Sequence, residues 1–264
     1  MLMEVRSNLK IMFLSFKYNL MRAMENNVAF MTSVVMMIFN NASFIIQWIT
    51  IFSLKEVIGS YTLNDVMLFW AISSGAFGVT HIFFNGIPRI PDYIEHGKLD
   101  AYLTMPKNVL CSVATSSLEP SAFGDLLYGY IALIIFNFSI KNLLLYTFLI
   151  IFGGLIYAAF MVIYFSLTFR FVRSSYLAES LRDVFLNLSL YPDVIFSKVL
   201  KILAFSLIPS GFAVWIPVHL ILEFNIMSLL YIILFTIGII TLAFYIFNRG
   251  LKNYSSSNLM DART

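Results

Sequence analysis

The feature that most constrains the fold is a set of long apolar stretches. A membrane-spanning α-helix needs about 20 apolar residues. That length is supplied by residues 28–53, 66–87, 120–138, 143–169 and 225–247. Of the 264 residues, 60% are hydrophobic and 12% are charged, whereas soluble domains carry about 25% charged residues. A single soluble core of this size cannot bury so much apolar surface, so the sequence predicts an all-α membrane protein.

The positions of Lys and Arg predict how these spans are oriented. Cytoplasmic links are enriched in both residues. In one orientation the cytoplasmic side receives both chain ends and the links 88–119 and 170–174, which hold most of the Lys and Arg. The opposite side then holds only Lys55 and Lys141 in its links. Both termini are therefore predicted to be cytoplasmic, and residues 170–224 must cross the membrane once in net.

Two placements of this additional crossing fit the sequence. In the first, a short span at 176–191 is followed by a re-entrant segment at 193–224 that dips into the outer leaflet. In the second, residues 194–216 form the span, which buries Lys198 and Lys201 in hydrocarbon. A buried charge costs free energy in a bilayer, so the first placement is preferred. The expected architecture is a single permease domain over 1–264 with six spans and a re-entrant segment before the last one.

The N-terminal residues 2–25 combine apolar and basic positions. At 100° per residue, Arg6, Lys10 and Lys17 fall within about 40° of arc on a helix. Apolar side chains cover another face of the same helix. This pattern predicts a basic amphipathic helix that lies in the membrane surface.

Ionisable side chains also occur within the predicted spans. Asp125 lies about one turn into the third span, and Glu179, Arg182 and Asp183 lie in the opening turns of the fifth. Intramembrane charges are functional candidates by default, although a structural role for Asp125 near the interface is equally consistent. The three residues of the fifth span are three or four positions apart, so they share a helical face and can pair at its cytoplasmic mouth.

Several kinds of chemistry are excluded by the sequence. No phosphate-binding G-x-x-x-x-G-K-[ST] motif is present, because the one Gly-Lys pair, Gly97-Lys98, is followed by Leu99 and lacks the upstream Gly. A lone cysteine, Cys111, and three dispersed His give no disulfide or metal pattern. The chain is therefore predicted to be no enzyme and to bind no cofactor or metal of its own.

A sharply polar insert, IEHGKLDAYLTMPKN, separates two apolar stretches in the loop 88–119. Gly97 and Pro106 bound a short helical segment within it. Three apolar side chains lie at positions i, i+3 and i+4 of that segment, namely Leu99, Tyr102 and Leu103. A lipid surface and a partner protein are equally consistent with this apolar face.

Four motifs in this order resemble the permease subunits of bacterial ABC type-2 transporters. They are GKLDAYLTMP, SSLEPSAFGDLLYGYIAL, YPDVIFSKVLKILAFSLIPSGFAVWIP and RGLKNYSSSN. The resemblance implies that the first cytoplasmic loop contacts a separate ATPase subunit. The implied contact residues are Glu95, Gly97, Lys98, Leu99, Asp100, Tyr102, Leu103 and Pro106, with Arg170 and Arg173 as a second, weaker contact.

The same resemblance implies an exporter in the bacterial cytoplasmic membrane. Two permeases would work with two ATPase subunits that bind ATP and Mg²⁺, and a heterodimer of related permeases is favoured. Lipid surrounds the assembly, and no nucleic acid is involved. A cavity lined by spans one, two and five would suit an amphiphilic cargo such as a drug, a peptide or a lipid-like molecule. The alternative is a standalone membrane immunity protein that binds a toxin without an ATPase.

Overall fold

The computed structural model describes residues 2–105, 107–171 and 174–254, with the side chains of all of these except residues 2–7 and 9. All regular elements in the described residues are helical. The twelve α-helices are α1 (Leu2–Ala23), α2 (Asn27–Leu54), α3 (Leu63–Phe83), α4 (Ile90–Glu95), α5 (Asp100–Leu103), α6 (Val109–Ala114), α7 (Ala122–Asn137), α8 (Ile140–Phe165), α9 (Ser174–Leu190), α10 (Lys198–Ala204), α11 (Ile216–Leu222) and α12 (Ile226–Leu251).

Helix α3 lies at the centre of the bundle. It packs against α7, α8 and α9, while α2 packs mainly on α7 with a smaller contact to α3, and α12 packs on α8. Its start is fixed by a capping box, in which Thr62 and Asp65 each accept a hydrogen bond from the other's backbone N–H. This cap places the first residue of α3 at Leu63, three residues earlier than the predicted span, and the helix ends at Phe83 rather than at residue 87.

The long helices run between two ends of the bundle, which we call the Tyr61 end and the Gly97 end after residues in the connecting loops. The amide of Asn137, at the end of α7, donates to the carbonyl of Asn64 at the start of α3 over 2.6 Å. At the other end of α7, the backbone N–H of Glu119 donates to the carbonyl of His81 over 3.1 Å. Helices α3 and α7 are therefore antiparallel neighbours over their whole length.

Helix α9 crosses the bundle, but the chain after it does not cross again before α12. Tyr191 follows α9 directly and packs against Trp48 near the end of α2. Both Asp193 and His219 contact the hydroxyl of Tyr61, at 2.7 and 2.6 Å. Residues 193–219 thus leave and return at the same end, so the placement of a full crossing at 194–216 is not supported.

The returning segment 193–222 is a helical hairpin that reaches deep into the bundle. The hydroxyl of Tyr164, near the end of α8, donates to the carbonyl of Leu207 at the tip of the hairpin over 2.9 Å. On the way back, the indole N–H of Trp215 donates to the carbonyl of Leu188 in α9 over 2.9 Å. The rings of Phe212 and Phe235 stack with centroids 3.8 Å apart, which joins the hairpin to α12.

Among the described residues, four helices are long and apolar enough to cross a membrane by length and composition. They are α2, α3, α8 with its 3₁₀ continuation to Phe169, and α12. Helix α7 is apolar but has only 16 residues, and α9 has 17 residues with a strongly polar face. The all-helical membrane class is confirmed, while length and composition alone support four of the six predicted spans.

The three central helices meet at one side chain. The hydroxyl of Tyr146 on α8 donates to the carbonyl of Ala71 on α3 over 2.9 Å, and the side chain is completely buried. Gly75 of α3 and Gly129 of α7 face this hydroxyl, and a Cβ at either position would overlap it. The absence of two side chains therefore allows three backbones to approach one phenol closely.

We expect Gly129→Ala to destabilise the bundle because its methyl group would be forced against the Tyr146 hydroxyl. Overpacking of a dense core costs about 1–3 kcal/mol, so the thermal midpoint in detergent should fall by several degrees. Gly238→Ala is the matched control, since nothing lies within 4 Å of a Cβ at that position of α12. An equal effect of the two substitutions would contradict this account of the junction.

Candidate functional site

The polar insert folds into two short helices joined by a tight turn at Gly97. Helix α4 ends at Glu95, and Gly97 adopts a left-handed conformation with φ of 65°. The backbone N–H of Leu99 then donates back to the carbonyl of Tyr93 over 3.1 Å. This φ is unfavourable for a residue with a Cβ, so a glycine at position 97 allows the chain to reverse here. We call residues 90–105 the Gly97 segment.

The predicted apolar face of this segment is divided by the fold. Leu99 is completely buried in the core, and Tyr102 stacks on Tyr93 with ring centroids 5.4 Å apart. Only Leu103 is largely exposed, at 44%. The expectation that Leu99 offers its side chain to a partner is wrong for this conformation. The three residues do share one helical turn, since the backbone N–H of Leu103 donates to the carbonyl of Leu99 over 3.1 Å. The reversal at Gly97 places this turn with Leu99 against the bundle.

Charged side chains are also part of the Gly97 segment. Asp92 accepts from Lys98 over 2.9 Å and lies 2.9 Å from the Nδ1 atom of His96. The hydrogen bond from Lys98 is the main reason that the pKa of Asp92 is lowered. Glu95 is half-buried and Asp100 is exposed, while Pro106 lies outside the described residues.

The Gly97 segment rests on a second link of the chain at the same end. Helix α4 packs against the 3₁₀ turn Ser166–Phe169, which also contacts the end of α12. Gly250 of α12 lies directly on the ring of Phe169. Arg170 follows this turn and is exposed, so one of the two predicted contact residues of this link lies at the same end as the segment. Arg173 is outside the described residues.

Asp125 joins three helices and is 5% exposed. Its Oδ1 atom accepts from the amide of Asn41 on α2 over 2.6 Å, and its backbone carbonyl accepts from the hydroxyl of Ser74 on α3 over 2.6 Å. The Oδ2 atom has no hydrogen-bond partner among the described residues. Asn41 was not singled out from the sequence, because an Asn inside an apolar helix carries no pattern that points to Asp125.

Two of the three charged residues of α9, Glu179 and Asp183, are exposed, and Arg182 is half-buried. Arg182 pairs with the adjacent Asp183, with Nη2 and Oδ1 3.1 Å apart, whereas Glu179 is exposed and forms no ion pair with any side chain that the structure describes. The predicted pairing of all three is therefore only partly present. Ala178, Phe185 and Leu188 bury the opposite face of α9. Glu179 and Asp183 therefore point away from the bundle, whereas Arg182, four residues after Ala178, borders the buried face.

Helix α2 carries a second polar stripe that the sequence analysis missed. Its members lie at positions i, i+3, i+7 and i+10, and all are exposed: Asn40, Ser43, Gln47 and Thr50. Val34, Asn41 and Trp48 face the bundle instead. The stripe could have been identified from the sequence, because polar residues recur at helical spacing within this apolar span. Helices α2 and α9 thus both turn polar side chains away from their own chain.

A polar cluster closes the Tyr61 end. Tyr61 donates to Asp193 over 2.7 Å, so its oxygen accepts the proton on the Nε2 atom of His219, 2.6 Å away. Lys201 lies 3.6 Å from the other oxygen of Asp193. Burial alone would raise the pKa of Asp193, but His219, 3.7 Å away, the hydrogen bond from Tyr61 and the charge of Lys201 lower it. Burial and the Asp193 carboxylate raise the pKa of Tyr61.

Comparison with known families gives one match, and it covers most of the chain. A model described as "ABC-2 family transporter protein" matches residues 35–258. The chain belongs to the ABC-2 transporter family. The match includes the Gly97 segment, the hairpin 193–222 and α12, and it confirms the predicted resemblance. No curated protein and no solved structure matches the chain.

Membership of the ABC-2 family states the function at a general level. The protein is a multi-pass membrane protein and a transporter permease. Permeases of this family associate in general with ATPases that hydrolyse ATP on their behalf. In the described residues no group of three or more His, Cys, Asp or Glu side chains is arranged to hold a metal ion.

We expect Asp193→Asn to lower the thermal midpoint of this permease at neutral pH, because the neutral amide cannot pair with Lys201. A lowered carboxyl pKa contributes stability above the unfolded value of about 4, and this contribution is lost as the pH falls through the lowered folded value. The difference between wild type and variant should therefore shrink in acid. Glu56→Gln, an exposed change at the same end, is the control. A difference that does not change with pH would contradict the assignment.

Proposed function

We propose that this permease is one of two membrane subunits of an ATP-driven exporter, and that separate ATPase subunits supply the energy. Family membership supports the transport role. The absence of a phosphate-binding loop from the sequence requires the energy to come from another chain. Both termini and the Gly97 end would face the cytoplasm, where ATP is available.

The coupling role is supported by an exposed apolar surface, Leu103 and Met105, on a segment that is anchored in the core. Leu103 and Met105 are 44% and 46% exposed, although they belong to a segment anchored by the buried Leu99. Apolar anchors at the centre of an interface supply most of its affinity. We therefore propose that Leu103 and Met105 enter a groove of the ATPase.

The charges around this surface would orient the partner rather than hold it. Lys98, Asp100 and Arg170 are exposed at the same end, and Glu95 is partly exposed beside them. Charged side chains at the rim of an interface mainly affect association rate and specificity. This division of roles replaces the single apolar face that the sequence predicted.

Coupling would follow from the packing behind the segment. Helix α4 contacts the 3₁₀ turn Ser166–Phe169 that continues α8, and this turn contacts the end of α12. A movement of the Gly97 segment would therefore be transmitted to two long helices. ATP binding would favour one packing of the permeases if the closed ATPase pair contacts that packing more strongly.

Helices α7 and α9 would complete a set of six spans, and the hairpin 193–222 would re-enter the membrane from the Tyr61 end. Non-helical backbone at membrane depth requires protein or water around it. The hairpin tip meets this requirement, because Tyr164 bonds the carbonyl of Leu207 and Phe235 covers Phe212. This packing supports the re-entrant placement that the sequence favoured.

The polar faces of α2 and α9 would line the transport pathway. Charged and polar side chains within spans face a protein interior or a water-filled cavity rather than lipid. Here Gln47 and Asp183 face away from their own bundle, so a second permease, related or identical, would have to enclose them. Exposed aromatic side chains such as Phe39 lie on the same helix. Mixed polar and aromatic walls favour an amphiphilic cargo.

The coupling proposal is tested with the cognate ATPase in a co-purification experiment. Leu103→Asp should reduce ATPase recovery and permease-stimulated ATP hydrolysis at least tenfold, because it places a charge in the apolar anchor. The fold should survive, since Leu103 is already exposed. Leu54→Asp, at an 86% exposed residue of the Tyr61 end, is the matched control. Normal coupling in the Leu103 variant would refute the docking role, and absence of any co-purifying ATPase would favour the standalone immunity protein.

The pathway proposal is tested by thiol labelling of the purified permease assembly after Cys111→Ser. A Cys at Gln47 should react with a charged, membrane-impermeant reagent at least ten times faster than a Cys at Leu234. Both residues are exposed on the single chain, but a thiol in hydrocarbon does not ionise, and the thiolate is the reactive form. Equal rates at the two positions would contradict a water-filled pathway along α2.

A further inference from the structure

A cavity of about 260 Å³ lies at the Gly97 end, outside the Gly97 segment itself. Three parts of the chain enclose it: the last turns of α1, the 3₁₀ turn Ile87–Arg89 and the loop before α7. The residues that line it include Arg22 and Arg89 together with Asn19, Ser116 and Ser117.

Hydrogen bonds between distant segments hold these walls together. The amide of Asn19 donates to the carbonyl of Thr115 over 2.9 Å, which fixes α1 to the loop. The backbone N–H of Gly86 donates to the carbonyl of Ala114 over 3.0 Å, which fixes the turn that carries Arg89. The cavity is therefore part of the fold rather than a gap between loose surface side chains.

The cavity is positively charged. Among the described side chains, no carboxylate lies within ion-pair distance of Arg22 or Arg89. Arg89 also contacts the hydroxyl of Tyr93, which is a neutral partner and leaves the positive charge uncompensated. The nearby carboxylate of Glu119 accepts from Ser121 over 3.3 Å and does not line the cavity.

One hydroxyl in the cavity has no partner. The Oγ atom of Ser117 is buried and forms no hydrogen bond with any described residue. Buried hydroxyl groups are normally paired. Two guanidinium groups, an amide and a free hydroxyl together form a donor set that matches the oxygens of a phosphate group.

A second, apolar cavity of about 380 Å³ continues along the same helix. Its lining includes Met12 and Phe16 of α1, and Thr115 borders it directly before the serines of the positive cavity. Met12, Phe16, Asn19 and Ala23 lie at i, i+4, i+7 and i+11, so one face of α1 covers both cavities. An anionic group with an attached apolar chain would fit the pair of cavities, whereas a free ion would occupy only the first.

We propose that the two cavities bind an anionic phospholipid, with its phosphate between Arg22 and Arg89 and part of an acyl chain beside Met12 and Phe16. The orientation rests on the proposed function, which places the Gly97 end at the cytoplasmic membrane surface. Free phosphate shares the headgroup chemistry, but it would leave the apolar cavity empty.

The test uses the full chain, purified in detergent without any ATPase and examined by native mass spectrometry. Phosphatidylglycerol should be retained at about one molecule per chain in preference to phosphatidylcholine. The double variant Arg22→Gln/Arg89→Gln should lower this retention at least tenfold. Lys10→Gln/Lys17→Gln removes the same charge from exposed positions of α1 and should leave retention unchanged.

Each result of this test supports or overturns the proposal. Equal losses in the two double variants would show general attraction to a basic surface and would overturn the site. Two results together would assign the cavity to free phosphate instead. Millimolar inorganic phosphate would displace the lipid, and the apolar variant Phe16→Ser would retain lipid as well as wild type. If the arginine pair unfolds the chain, the single variants Arg22→Gln and Arg89→Gln give the same comparison. Because no ATPase is present, failure of the coupling proposal would leave the lipid result intact.

Discussion

The close approach of α3, α7 and α8 around the Tyr146 hydroxyl sets the position of every other long helix. Gly75 and Gly129 leave room for this hydroxyl, so α3 is enclosed by α7 and α8 along most of its surface. The remaining side of α3 is left to α2 and α9, which meet at the Tyr61 end through Trp48 and Tyr191. The polar faces of α2 and α9 are directed outward because the inner space is already occupied.

This outward direction means that a single chain does not enclose a pathway. Asn40 and Gln47 on α2, and Glu179 and Asp183 on α9, are exposed on the isolated chain. Their desolvation in lipid would be costly, and the buried faces of both helices are fully used for packing. The proposed second permease would enclose these side chains, by the same polarity argument that identified the spans. The proposed assembly follows from polar side chains that neither the bundle of one chain nor lipid can solvate.

The sequence predicted features that depend on local composition and did not predict those that depend on distant partners. Apolar length identified the long spans, and charge asymmetry predicted one net crossing within residues 170–224. By contrast, Asn41 and Asp125 are 84 residues apart, and Tyr61 and His219 are 158 apart. Neither pair has a local pattern. Leu99 was assigned to a docking face because helical spacing shows which residues share a face but not which of them the rest of the bundle buries.

Packing at the Gly97 end connects the two proposed binding surfaces. Helix α6 contacts both α1, which covers the lipid cavities, and α5, which carries Leu103. Its buried residues Leu110 and Val113 leave little freedom for independent movement. A lipid that holds α1 against Thr115 would therefore also restrain the base of the docking surface. Membrane composition would then affect coupling through the position of α6, without any contact between the lipid and the ATPase.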